Sequence, residues 1–236
     1  MINTLFLSLA LFAQDAEPAA ETPDPIAPDA SGSEEVDVAS AADTADIAGT
    51  ETASFDAEGA LSGVNGWLNG IDTYRARFDQ IAPDGSASGG TLMIRRPGRL
   101  RFDYDDPSPL LVVADGTTVA MEDSALGTVD RVPLRSTPLW LILKPDIDLA
   151  TDARVTDVTV EDNRLYVDVE DRNDEMDGRA RFVFNPETYA LEEWFVRDSL
   201  GYTTRVILSD VETDVRLSPR LFVLEDAEDT RRSRRQ

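Results

Sequence analysis

The chain has 236 residues, with 46 Asp or Glu against 22 Lys or Arg, a formal charge of −24, and neither His nor Cys. This acidity argues against a nucleic-acid partner. The two missing residue types exclude disulfides, thiolate or imidazole metal sites, a Cys nucleophile and a Ser-His-Asp triad.

Residues 2–13 are uncharged and mostly apolar. As a helix rising about 1.5 Å per residue they reach roughly 18 Å, short of a bilayer core of about 30 Å. Residues 1–13 therefore read as a secretory signal segment cleaved after Ala13, although no base precedes Arg75. With no Cys to carry a lipid anchor, the mature chain is expected to be soluble. Residues 14–54 are dominated by Ala, Asp, Glu, Pro, Thr and Ser, and residues 14–60 hold 13 acids and no base. That composition predicts a disordered, self-repelling acidic linker. Beyond it lies enough apolar sequence for one core of ordinary single-domain size.

Leu61, Val64, Leu68 and Ile71 recur at three- and four-residue steps behind Asp56 and Glu58, which predicts an amphipathic helix of about four turns with its acids at the positive end. After Asp72 the period becomes two. Tyr74, Ala76 and Phe78 share one face of a strand, and Pro83-Asp84-Gly85 turns the chain into a second strand carrying Leu92 and Ile94. Leu100, Phe102 and Tyr104 alternate with charged residues in a third. Further alternating stretches run over 110–114, 117–122 and 129–134, with Asp115-Gly116 as a hairpin signal. Thr137 and Pro138 then open the apolar run 139–143, closed by Lys144-Pro145; Thr as N-cap and Pro as first helical residue predict a two-turn helix. Five more strands are expected near 155–160, 165–169, 179–184, 191–196 and 202–208.

About eleven short strands in series predict a mainly β (α+β) protein, an antiparallel meander over residues 55–225. A flat meander of this length leaves two exposed edges and one bare apolar face, so it is expected to curl into a barrel or half-barrel with the helices over its open side. The inner-face set Leu92, Ile94, Leu100, Phe102, Tyr104, Leu165, Val167, Val169, Phe182 and Phe184 fits two arrangements. One is a filled core, the other the lining of a cavity for an apolar ligand, and periodicity does not separate them.

Of the clustered Arg95, Arg96, Arg99 and Arg101, three read as a solvated strand surface. Arg96 is in phase with Leu92 and Ile94 on the inner face, where a charge requires a partner. Asp171, Asn173, Glu175, Asp177 and Gly178 imitate a calcium loop, but Phe184 stands where the bidentate acid belongs, so no metal is expected. No phosphate loop or nucleophile elbow occurs, so no catalytic residue is assigned. The basic tail, residues 226–236, reads as frayed and solvated.

Three spaced motifs carry a family resemblance. Residues 89–104 (GGTLMIRRPGRLRFDY), followed by Pro107 and Leu111-Val112-Val113-Ala114-Asp115-Gly116, resemble the hallmark stretch of LolA-type outer-membrane lipoprotein carriers. Residues 73–80 (TYRARFDQ) are similar to that family's first strand, and residues 137–143 (TPLWLIL) to its lid helix. The resemblance implies a half-open antiparallel β-barrel with helical lid segments, monomeric and without cofactor, that holds lipoprotein acyl chains while crossing the periplasm. It implies an inner-membrane ABC-type release complex as loader, and an outer-membrane acceptor lipoprotein or the outer membrane as recipient. It assigns Arg96 as the lid latch and Leu100 to the mouth. Leu92, Ile94, Phe102, Tyr104, Leu139, Trp140, Leu143, Phe182 and Phe184 complete the expected lipid-binding cavity. Two alternatives stay open: a carrier of another lipid or glycolipid on the same fold, and a structural β-domain with a filled core.

Overall fold

The computed structural model describes residues 55–172 and 178–224. The expected signal segment 1–13, linker 14–54 and tail 226–236, and residues 173–177 of the calcium-like run, lie outside the described residues.

Helix α1, Ala57–Gly70, starts where Asp56 accepts the Gly59 N–H through Oδ1 at 2.9 Å, and it buries Ala60, Val64 and Leu68. Eleven strands follow: β1 Thr73–Ile81, β2 Ala87–Arg95, β3 Arg99–Tyr104, β4 Leu110–Asp115, β5 Thr118–Asp123, β6 Thr128–Pro133, β7 Arg154–Glu161, β8 Arg164–Glu170, β9 Arg179–Phe184, β10 Leu191–Arg197 and β11 Thr203–Thr213. They form one sheet in the order β6-β5-β4-β3-β2-β1-β11-β10-β9-β8-β7. The expected single meander is corrected in one respect. Two meanders, β1–β6 and β7–β11, are joined through the antiparallel β1–β11 pair, so the first and last strands meet at the centre.

This order explains why the barrel is half-open. The two free edges, β6 and β7, are consecutive in sequence, and ladder bonds between them would close the sheet on itself. Instead residues 134–153 lie between them in sequence. This segment contains a 3₁₀ turn, Leu134–Ser136, and two single-turn helices, α2 Trp140–Leu143 and α3 Leu149–Asp152. Pro133 ends β6 without an N–H to offer a further strand.

Inner-face residues pack edge to face: Phe78 on Phe102 with centroids 4.9 Å apart, Phe78 on Tyr104 at 5.0 Å, and Phe102 on Trp194 at 6.2 Å. Gly90 lies opposite Phe78 in the β1–β2 ladder and opposite Tyr104 in the β2–β3 ladder. A Cβ there would stand 2.1 Å from the Asp103 carbonyl oxygen and 2.8 Å from the Phe78 ring, so glycine makes room for the aromatic cluster.

The helix expected from Thr137 is shorter than two turns. Thr137 Oγ1 donates backwards to the Leu134 carbonyl at 2.8 Å, closing the 3₁₀ turn, and its backbone stays extended. The Trp140, Leu141 and Ile142 amides then make three-residue bonds to Thr137, Pro138 and Leu139, and full α-turns close only at Leu143 on Leu139 and at Lys144 on Trp140. Residues Pro219–Phe222 form a 3₁₀ turn that the sequence reading missed. This C-terminal segment corrects the reading of Arg95 and Arg101 as a solvated surface. Arg95 donates to the Leu217 carbonyl at 3.3 Å, and Arg101 to that of Leu221 at 3.4 Å.

Candidate functional site

The site is built where α2 meets the inner face of the sheet. Leu141, Ile142 and Leu143 are buried, while Leu139 and Trp140 are half-buried and the Arg135 guanidinium covers the Trp140 ring at 4.9 Å. Two cavities lie under this segment. One of about 70 Å³ is lined by residues that include Phe102, Val112, Leu139, Ile142, Phe182 and Trp194. The other, about 30 Å³, is walled by Trp67, Tyr74, Leu92, Ile94, Arg96 and Ile142 among others. Both are far below the roughly 300–1,000 Å³ of a ligand pocket. Ile142 borders both, so α2 is a partition between them, a plug of side chains on the inner face of the sheet.

Five side chains and one glycine amide hold this plug. Arg96, at the end of β2, donates from Nη2 to the Lys144 carbonyl at 2.7 Å and to Asn69 Oδ1 at 3.3 Å. The Gly98 amide in the same turn donates to the Leu143 carbonyl at 2.8 Å. Gly98 has φ +74°, and a Cβ on it would lie 2.7 Å from Gly116 Cα, so the approach demands glycine. From α1, Asn69 brackets Ile147, giving Nδ2 to its carbonyl at 2.7 Å and accepting its amide at 2.8 Å. Asn65, one turn earlier, accepts the Leu149 amide at 3.1 Å. Lys144 pairs with Asp152 across the same loop.

Burial lowers the pKa of Arg96 from its ordinary value, while Asp72 and Asp146 oppose the shift through space. Burial likewise pushes the Tyr74 phenol far above its usual value. It raises the Tyr104 phenol too, partly opposed by the hydrogen bond to Gln80 Oε1 at 2.8 Å.

The structure brings Phe102, Phe182 and Leu139 to the larger cavity, and Leu92, Ile94 and Arg96 to the smaller. Tyr104, Leu143 and Phe184 are buried in the surrounding core, and Trp140 stands at the rim under Arg135. Leu100, expected at the mouth, is 0 % exposed. It is in phase with Phe102 and sits between Ile94 and Ala114 in adjacent ladders, which places it inside rather than at an opening. Asn65, Asn69 and Gly98 were missed. Two poor helix formers four residues apart on α1 were the available signal for the asparagines. Among the described residues no group of three or more Asp or Glu is arranged to hold a metal.

Because Asn69 alone satisfies both backbone groups of Ile147, Asn69→Ala is expected to loosen this loop without unfolding the sheet. Loss of about 1–2 kcal/mol of local hydrogen bonding should speed amide exchange at Ile147 by about tenfold. Core amides of β1 and β2 should be unchanged. Equal acceleration in both places would show that Asn69 supports the whole domain rather than the plug.

Comparison with known proteins identifies a family. The family described as "Outer membrane lipoprotein carrier protein LolA" matches residues 69–225. An outer-membrane lipoprotein carrier protein of Nitrosomonas europaea is 28 % identical over 172 residues, 69 % of this chain and 83 % of that protein. One from Methylococcus capsulatus is 28 % identical over 171 residues, 68 % of this chain and 81 % of its own length. The crystal structure of a LolA superfamily protein from Nitrosomonas europaea aligns with a TM-score of 0.44 at 10 % identity, covering 72 % of this chain and 99 % of that one. With a family match running from the end of α1 to the last described turn, this chain belongs to the LolA family of outer membrane lipoprotein carrier proteins.

Proposed function

We propose that this protein is a non-catalytic periplasmic carrier that encloses the acyl chains of lipoproteins leaving the inner membrane and delivers them to the outer membrane. The observation that carries the reading is the partition at Ile142, an apolar plug held over an apolar interior by a small set of hydrogen bonds. Withdrawing α2 would join the two cavities and expose Phe102, Phe182 and Trp194 to a guest chain.

The energetics suit that task. Each exposed methylene costs about 0.8 kcal/mol in water, so a lipid anchor requires enclosure during transit. Release must also be possible, and a plug that refills the interior competes directly with the guest. The empty state is then stabilised by the contacts that loading breaks, and membrane partners decide which state prevails without a nucleotide on the carrier. On this reading an inner-membrane ABC-type complex loads the protein, and an acceptor lipoprotein or the outer membrane receives the cargo. No helix among the described residues is long and apolar enough to cross a membrane.

Organic extraction of protein purified from the periplasm, followed by mass spectrometry, tests the proposal. Triacylated peptides are expected. Recovery of another lipid class alone would transfer the function to that lipid, and recovery of none from protein held under a working release complex would leave only a filled-core domain.

A further inference from the structure

Three buried donor atoms on the wall of the smaller cavity have no acceptor: Tyr74 OH, Arg96 Nε and Arg96 Nη1. Tyr74 is 3 % exposed and faces Ile94 in the β1–β2 ladder. The Arg96 amide donates to the Asp72 carbonyl at 2.8 Å, two positions along from the Tyr74–Ile94 pair, so Tyr74 and Arg96 are diagonal neighbours on the inner face. The remaining wall is apolar, with Leu92, Ile94, Leu191 and Leu208 around them and the movable Ile142 opposite. Buried polar groups are paired almost without exception, and a cluster of three unpaired ones needs a reason.

Deepening the carrier reading, on which it rests, we propose that this corner is the seat of the ligand's acyl carbonyl. Arg96 Nε and Nη1, together with Tyr74 OH, donate to the carbonyl oxygen at the head of a bound chain, and the first methylenes run over Leu92 and Ile94. The chemistry selects this class. A guanidinium offers donors only, so the guest atom is an acceptor, and the apolar wall beside it suits hydrocarbon rather than a sugar or a phosphorylated head. An ester, an amide and a free carboxylate share this oxygen. When the plug lifts, Arg96 loses the Lys144 carbonyl and gains the guest's, so the loaded state replaces the bond that opening breaks.

Displacement of a fluorescent acyl probe from the full chain, by dodecanoic acid, its methyl ester and dodecyl methyl ether, tests the assignment. The ester is expected to bind roughly tenfold more tightly than the ether, which lacks the carbonyl. In Tyr74→Phe, which removes only an unpaired hydroxyl, that ratio should fall to about threefold with ether binding unchanged. Arg96→Lys, which keeps the charge but loses the second and third nitrogens, should also shrink it. A preference for the acid over the ester would identify a carboxylate as the natural head, and the reverse would identify an ester. An ester-to-ether ratio equal in wild type and both variants would overturn the subsite and leave its donors to a buried water. Failure of all three compounds to displace the probe from wild type would overturn the carrier reading and the subsite with it, a result distinct from equal ratios.

Discussion

Arg96→Leu is expected to leave uptake of an acylated peptide intact and to slow its hand-over to acceptor membranes by at least tenfold. The closed arrangement depends on Arg96 Nη2 bridging the Lys144 carbonyl at 2.7 Å and Asn69 Oδ1 at 3.3 Å. Hydrogen bonds from a charged donor contribute about 1.5–3 kcal/mol, and 1.4 kcal/mol is a factor of ten in a two-state population. Leucine removes that closing bias and adds apolar surface to the interior. Easier opening offsets the lost carbonyl donor during uptake, while during release nothing draws α2 back over the vacated space. Uptake and transfer measured on the same preparation separate these effects. Wild-type transfer by the variant would show that Arg96 merely carries its charge to the rim.

The second large effect is on stability. Leu100 is 0 % exposed and paired with Ile94 and Ala114, so Leu100→Glu places a carboxylate in the core rather than at an entrance. Truncating a buried leucine to alanine costs about 2–5 kcal/mol, and burying an unpaired acid adds to that. A loss of about 5 kcal/mol corresponds to roughly 10–20 °C in thermal midpoint for a domain of this size. The pH dependence has a definite sign. Burial raises the folded-state pKa of the introduced acid above its unfolded value near 4.3, so the deficit is smallest below about pH 4 and deepens as pH rises through the folded-state pKa. Leu100→Met, which conserves volume, should cost less than about 1.5 kcal/mol. A midpoint for Leu100→Glu within about two degrees of wild type at neutral pH would place the residue at a water-filled mouth after all.

Much of the architecture was legible because it is local. Alternation in Tyr74-Ala76-Phe78 and Leu100-Phe102-Tyr104 reports which side of a pleat each residue occupies, whatever the strand pairs with. The three- and four-residue spacing of Leu61, Val64 and Leu68 reports α1 in the same way, and Asp56 supplies its cap. Arg96 was visible as a cation in phase with Leu92 and Ile94, because a charge on an apolar face stands out in the pattern alone. Local competition decided the α2 boundary differently from the expectation: Thr137 spends its hydroxyl on Leu134 behind it rather than on an amide ahead.

What the sequence by itself determined, then, was the set of strands, their inward faces and the one inward charge. The tertiary structure decided how they combine. Pairing of β1 with β11, whose register partners Phe78 and Leu208 are 130 residues apart, sets the free edges at β6 and β7 and so the open side. Within the second meander, the buried Glu193 of β10 is held by Arg205 from the adjacent β11 and by Arg164 from β8, two strands away. The acceptor that Arg96 finds is likewise set by tertiary contact. Leu139 and Trp140 give their carbonyls to the turns of α2 itself, Leu143 gives its own to Gly98, and the Lys144 carbonyl accepts from the guanidinium. Periodicity records the face of each residue because the pleat is a property of a few consecutive bonds. It carries no record of which distant carbonyl remains unoccupied, because that follows from every other hydrogen bond made when the segments meet.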